Sequence, residues 1–93
     1  MKCKYIVMAL SKDGHPAESI FLFPNHVDHD RMAEALEAIR FGSRHNWRRD
    51  YRDGEVISAG FVNGHGCYGR SETLDKDSRP VADTKLLRQL LER

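Results

Sequence analysis

Residues 3–10, CKYIVMAL, carry apolar side chains at both odd and even positions. Successive side chains of a strand point to opposite faces, so this stretch predicts an interior strand that is covered on both sides. Residues 18–23, ESIFLF, repeat the pattern, with the aliphatic side chains expected on one face and the two phenylalanines on the other. Asp13-Gly14 lies between the two stretches and favours a turn. The sequence therefore predicts a hairpin of two antiparallel strands.

The segment that follows Pro24 has the signals of a helix start. Asp28 is a good N-cap, and Val27 and Met32 have the spacing of a hydrophobic staple. Over residues 29–40 apolar side chains recur at helical spacing, which predicts a helix with one apolar face. That face is expected to contain Met32, Ala35, Leu36 and Ile39.

The second half of the chain is expected to repeat the order strand, strand, helix. Residues 55–62 predict a third strand, with three side chains on one face: Ile57, Ala59 and Phe61. Asn63-Gly64 indicates a hairpin turn, and residues 67–73 predict a weaker fourth strand suited to a sheet edge. A terminal helix is expected over residues 80–92, with an apolar stripe of Leu86, Leu87, Leu90 and Leu91.

These elements predict one α+β domain over residues 1–93, with a four-stranded, largely antiparallel sheet and both helices on one face. In that arrangement the other face of the first two strands would expose apolar side chains to water. A second copy of the chain is the expected cover, because most soluble oligomers are symmetric homo-oligomers. The alternative cover is the chain's own segment 44–52.

Composition and charge limit the classes of function. Fifteen Lys plus Arg against fourteen Asp plus Glu leave a formal net charge of +1. No global field therefore recruits nucleic acid or an anionic membrane, and such a partner needs a local patch. Residues 1–10 are too short for a bilayer span and lack the features of a signal peptide, so no membrane partner is expected. With only Cys3 and Cys67, a reduced cytoplasmic protein without a cofactor is expected.

One local patch has an unusual composition. Residues 40–52, RFGSRHNWRRDYR, contain five arginines and one aspartate, interleaved with aromatic side chains. Arginine binds phosphate as a planar fork and aromatic rings stack on unpaired bases, so the patch is a candidate nucleic-acid site. The residues that would bind are Arg44, Trp47, Arg48, Arg49, Tyr51 and Arg52. The structural alternative is a loop or short helix anchored by Trp47, with its arginines solvated.

Histidine and cysteine residues form a second candidate set. His26 and His29 are close in sequence, as are His65 and Cys67, so four metal ligands would exist if the two loops met. A small metal-dependent hydrolase is the function such a site would support. Neither pair has a standard zinc-finger spacing, and the alternative is that these residues serve a helix entry and a hairpin turn. The chain contains no GxSxG, GxxxxGK[ST] or GxGxxG pattern.

Four stretches carry a resemblance: SAGFVNGHGCYGRSETL at 58–74, SRPVADTKLL at 78–87, LFP at 22–24 and HVDHDRMAEAL at 26–36. They resemble small phage or prophage-encoded bacterial proteins of unassigned function. The resemblance implies a bacterial or phage cytoplasmic setting and a regulatory, host-interaction or replication-accessory role, and it assigns no catalytic residue.

The leading expectation is a small non-enzymatic binding or regulatory protein that forms a homodimer and contacts a macromolecular partner. A protein partner is favoured over nucleic acid because the net charge is close to neutral. The alternatives are nucleic-acid binding through residues 40–52 and the metal-dependent hydrolase.

Overall fold

The computed structural model describes residues 2–12, 15–41 and 51–92. The elements are β1 Lys2–Lys12, β2 His15–Phe23, α1 His29–Phe41, β3 Tyr51–Asn63, β4 Gly66–Tyr68, β5 Arg70–Ser71, β6 Lys76–Asp77 and α2 Pro80–Leu91. A four-stranded antiparallel sheet has the order β2-β1-β3-β4, and β5 and β6 form a separate short hairpin. The predicted α+β domain with a four-stranded antiparallel sheet and two helices is confirmed. Neither helix is long and apolar enough to cross a membrane in this part of the chain.

The two helices pack on opposite faces of the sheet, which corrects the expectation that they share one face. Leu36 of α1 is buried with Ile6, Met8, Phe23 and Ala59. The cluster around Leu87 of α2 contains the alternate residues of β1 and their neighbours: Tyr5, Val7, Val62 and Cys67. Each helix therefore covers one face of β1, and the apolar character of both faces is satisfied within one chain. A second copy is not required as a cover for either face.

A β-bulge changes which side chains of β3 share a face. The register between β1 and β3 shifts between Val7 and Met8, where Ile57 is the extra residue. A bulge interrupts the alternation of side chains. Ile57 consequently packs on the α2 side while Ala59 packs on the α1 side, so the prediction that they share a face is wrong.

The apolar face of α1 differs from the expected one at residue 35, and the side chain of Ile39 lies outside the described part of the chain. Met32 and Leu36 pack against the sheet as predicted, and so does Ala33. Ala35 is exposed. The helix begins at His29, where Met32 donates its N–H to the carbonyl of Asp28 at 3.0 Å.

The predicted fourth strand ends early. β4 stops at Tyr68, and Gly69 has a φ of 81°, which a residue with a side chain rarely adopts. The chain then turns into β5 and β6, and Ser78 donates its N–H to the carbonyl of Gly69 at 2.9 Å. This returning connection directs the chain into α2, which begins at Pro80 as predicted.

Candidate functional site

A buried carboxylate joins α2 to the sheet. Asp83 is fully buried and accepts hydrogen bonds from the hydroxyl groups of Tyr5 at 2.5 Å and Ser58 at 2.9 Å. It also accepts from the backbone N–H of Arg79 at 2.8 Å and from its Nε at 3.1 Å. Burial, followed by the hydrogen bond to Asp83, raises the pKa of Tyr5 far above its usual value. With its acceptor positions occupied by protein donors, this carboxylate is a structural clamp.

The clamp extends to β2 through Arg79. Its guanidinium contacts Glu18 in a fork-like arrangement, with Nη2 2.9 Å from Oε1 and Nη1 3.3 Å from Oε2. Sequence reasoning missed the clamp. The available signal was Asp83, an acidic residue on the apolar face of a helix and four residues after an arginine, because such a residue needs buried partners.

The polar run at residues 70–77 is architectural. Arg70 forms ion pairs with three exposed acidic side chains: Glu72, Asp75 and Asp77. Ser71 is fully buried, and its hydroxyl accepts the N–H of Leu74 at 3.1 Å. These contacts shape the β5–β6 hairpin.

The four candidate metal ligands are not brought together. His29 is buried on the α1 side, whereas Cys67 is buried on the α2 side, so the sheet lies between them. His26 and His65 are exposed. In the residues that the structure describes, no group of three or more potential ligands could hold a metal ion.

His29 and Cys67 instead have structural contacts. The His29 ring lies edge-on to Phe23 and Phe61, and its Nε2–H donates to the carbonyl of Gly60 at 2.9 Å. Burial lowers the pKa of His29. Burial also raises the pKa of the Cys67 thiol to about 11, which makes the thiolate scarce near neutral pH.

Most of the arginine-rich patch lies outside the described residues. Arg44, Trp47, Arg48 and Arg49 lie outside the described residues. The side chains of Tyr51 and Arg52 also lie outside the described part, and β3 begins with the backbone of these two residues. Nucleic-acid binding through this segment stays a prediction.

An open groove of about 390 Å³ lies beside the start of α1. Its cationic side chains have partners. Lys4 donates to the carbonyl of Val27 at 3.0 Å and lies 3.9 Å from Asp28, and Arg70 lies 3.5 Å from Glu72. The groove therefore presents no excess of one charge.

The β3–β4 hairpin shows which residues of the sheet direct their backbone N–H and C=O groups toward which neighbouring strand. Asn63 pairs with Gly66 across a two-residue turn, and the closing pair of such a hairpin exchanges its backbone hydrogen bonds. Cys67 must then turn its N–H away from β3. It does so, because this N–H donates to Oγ1 of Thr84 in α2 at 3.0 Å.

The alternating direction of backbone groups also determines which residues of β2 have N–H and C=O groups on its outer edge. Near the end of β3, the even-numbered residues direct their backbone N–H and C=O groups toward β1 and pair with its odd-numbered residues. Because the direction of these groups alternates along a strand, the even-numbered residues of β1 direct theirs toward β2. Odd-numbered residues of β2 therefore bond to β1, and the N–H and C=O groups of Glu18, Ile20 and Leu22 point outward. We call these outward groups the β2 edge. Pro16 fits this pattern, because it has no N–H and an even-numbered position needs none toward β1.

The two edges of the sheet are protected to different degrees. β4 is three residues long, and α2 binds its outward Cys67 N–H. β2 is nine residues long and, within residues 2–12, 15–41 and 51–92, its one neighbouring strand is β1. Exposed edges are usually blunted by shortness, cover or charge. The charge on the β2 edge, Glu18, is already paired with Arg79.

A groove with a mixed polar and apolar lining adjoins the β2 edge. Between β2 and α2 lies an open groove of about 360 Å³, whose apolar lining includes Ile20, Leu86 and Leu90. The half-buried side chains of Ile20 and Leu22 lie on this α2 side of the sheet. Backbone groups for strand pairing and apolar side chains thus occur together along β2.

Comparison with protein-family models, curated proteins and solved structures finds no match to this chain. Function is therefore inferred from the fold and the site geometry, and the resemblance to phage and prophage proteins stays a prediction.

Proposed function

We propose that the protein is a small non-enzymatic binding protein of the cytoplasm, and that it contacts a protein partner by strand addition at the β2 edge. The observation that carries the proposal is the outward direction of the Glu18, Ile20 and Leu22 backbone groups on a nine-residue edge strand. An added strand satisfies such groups through main-chain hydrogen bonds, which supply affinity in this mode of recognition.

The buried polar side chains support a binding role over a catalytic one. The buried polar residues of the described chain are His29, Ser58, Ser71 and Asp83. Each has a hydrogen-bond partner inside the protein. These groups are committed to folding, because breaking their contacts would leave buried polar atoms unsatisfied.

The net charge supports a protein partner. At +1 the chain lacks the overall positive field that draws proteins to nucleic acid. Along β2, the one acidic side chain beside the edge is paired with Arg79. In the described part of β2, a partner strand therefore meets an edge whose acidic side chain is compensated.

Site-specific photo-crosslinking tests the proposal. A photoreactive amino acid is placed at Ile20 in one variant and, as a control, at Val81, which is 87% exposed on α2. In cells that express the protein, position 20 is expected to give a protein adduct of defined mass that position 81 does not give. Adducts no more abundant at 20 than at 81 would contradict the proposal, and nuclease-sensitive adducts would favour nucleic acid.

A further inference from the structure

We propose that the β2 edge pairs with the β2 edge of a second copy, which joins two four-stranded sheets into one sheet of eight strands. The inference rests on the proposed function, because it names the protein that the edge binds. Antiparallel pairing suits a two-fold homodimer, since the same surface is used by both copies. Even-numbered residues then lie opposite even-numbered residues, and both copies keep α2 on the same face of the joined sheet.

Two prolines set the register. Pro16 and Pro24 have no N–H, so the strand between them offers residues 17–23 for pairing. The centre of that window is Ile20. Antiparallel self-pairing about this centre places Ile20 opposite Ile20 of the second copy, and Leu22 opposite Glu18. All three resulting pairs use outward groups, so each pair forms two backbone hydrogen bonds.

The side chains at this seam are compatible with self-pairing. Ile20 is β-branched and half-buried, and cross-strand pairs of such residues stabilise antiparallel sheets. Glu18 does not repel its copy, because the register places Leu22 opposite it and because Arg79 lies 2.9 Å from its carboxylate. Edges that avoid self-association usually present unpaired charge, and this edge presents none among the described residues.

The size of the seam predicts a reversible dimer. The seven paired residues, 17–23, extend for about 23 Å, and a seam about 15 Å high buries about 350 Å² per chain. The total of about 700 Å² is below the roughly 1,200–2,000 Å² of standard stable interfaces. The dimer should therefore dissociate on dilution.

Sedimentation velocity over a range of protein concentrations tests the inference with a charge-reversal pair. The wild type should approach twice 10.7 kDa at high concentration and 10.7 kDa on dilution. I20K and I20E each bring like charges together at the two-fold axis while keeping the backbone N–H, so each should weaken dimerisation at least tenfold. An equimolar mixture should restore the dimer, because Lys then lies opposite Glu. V81K and V81E serve as controls, since Val81 is 87% exposed on α2, and both should dimerise like the wild type.

Each result either supports or overturns the inferred dimer. Restoration in the mixture supports both the interface and the register. Dimerisation that is unchanged in I20K and I20E, or weakened without restoration, overturns the inference, because the interface or register then differs. A wild type that stays monomeric at every concentration also overturns it, and a position-20 adduct with a different protein would leave the proposed function standing in that case. Circular dichroism verifies that the variants are folded, and hydrogen exchange of the unmodified protein gives an independent measurement if they are not.

Discussion

Replacement of Asp83 by Ala should destabilise the protein strongly. The change leaves two buried donors, the Tyr5 and Ser58 hydroxyl groups, without their acceptor, together with the partly buried Arg79 N–H. An unsatisfied buried donor costs about 1–3 kcal/mol, so the free energy of unfolding should fall by about 4 kcal/mol. That is a large part of the roughly 5–15 kcal/mol expected for a small domain. The melting temperature should fall by about 15–30 °C.

Urea unfolding followed by far-UV circular dichroism measures this loss. Asp77→Ala is the matched control, because Asp77 contacts Arg70 in an ion pair whose side chains are 77% and 39% exposed. Exposed pairs of this kind contribute at most about 1 kcal/mol. The interpretation of Asp83 as a buried clamp would be refuted if Asp83→Ala destabilised the protein no more than Asp77→Ala.

Three further predictions concern buried or crowded positions. Burial lowers the pKa of His29 below 6.5, so the unfolded chain binds the proton first and the free energy of unfolding should fall as pH drops below about 6.5. Urea titrations at several pH values should show a weaker fall in the His29→Gln variant than in the wild type, and equal falls in the two proteins would contradict this. The Cys67 thiol, with its pKa raised to about 11, should react with a thiol reagent at pH 8 only as fast as the protein opens. Rapid labelling of Cys67 in a native Cys3→Ser variant, which lacks the partly exposed second thiol, would show otherwise. Gly60→Ala places a Cβ 2.4 Å from the carbonyl oxygen of Tyr68 and should lower the free energy of unfolding in urea by about 1–3 kcal/mol. Gly66→Ala, whose Cβ lies 3.9 Å from the nearest neighbouring atom, should lower it less, and similar losses in the two variants would disprove the crowding.

The element types were predictable because their signals are local. A continuous apolar run marks β1, and the staple of Val27 and Met32 marks the start of α1. The face on which a helix packs is not local, because it depends on which strands the helix connects. α1 joins β2 to β3 across β1, and the handedness of such crossovers, not the helix sequence, selects the face. The requirement for cover on both sides of β1 was therefore predicted correctly, while its source was misassigned.

The details that sequence reasoning missed arise from register and burial. Ile57 changes face because a bulge adds one residue to β3, and alternation alone gives no sign of it. The Asp83 clamp unites residues from β1, β3 and α2 that are far apart in sequence. Whether His29 and Cys67 share a site likewise depends on the fold, which places the sheet between them.

Hydrogen exchange of the β2 backbone amides, measured by NMR at high and low protein concentration, tests the central claim most directly. The Ser19 amide faces β1 and should be protected at both concentrations. The Ile20 and Leu22 amides should be protected at high concentration and exchange rapidly on dilution, because the second copy supplies their acceptors. Rapid exchange of Ile20 and Leu22 at every concentration, or protection of these amides together with rapid exchange of Ser19, would contradict the claim.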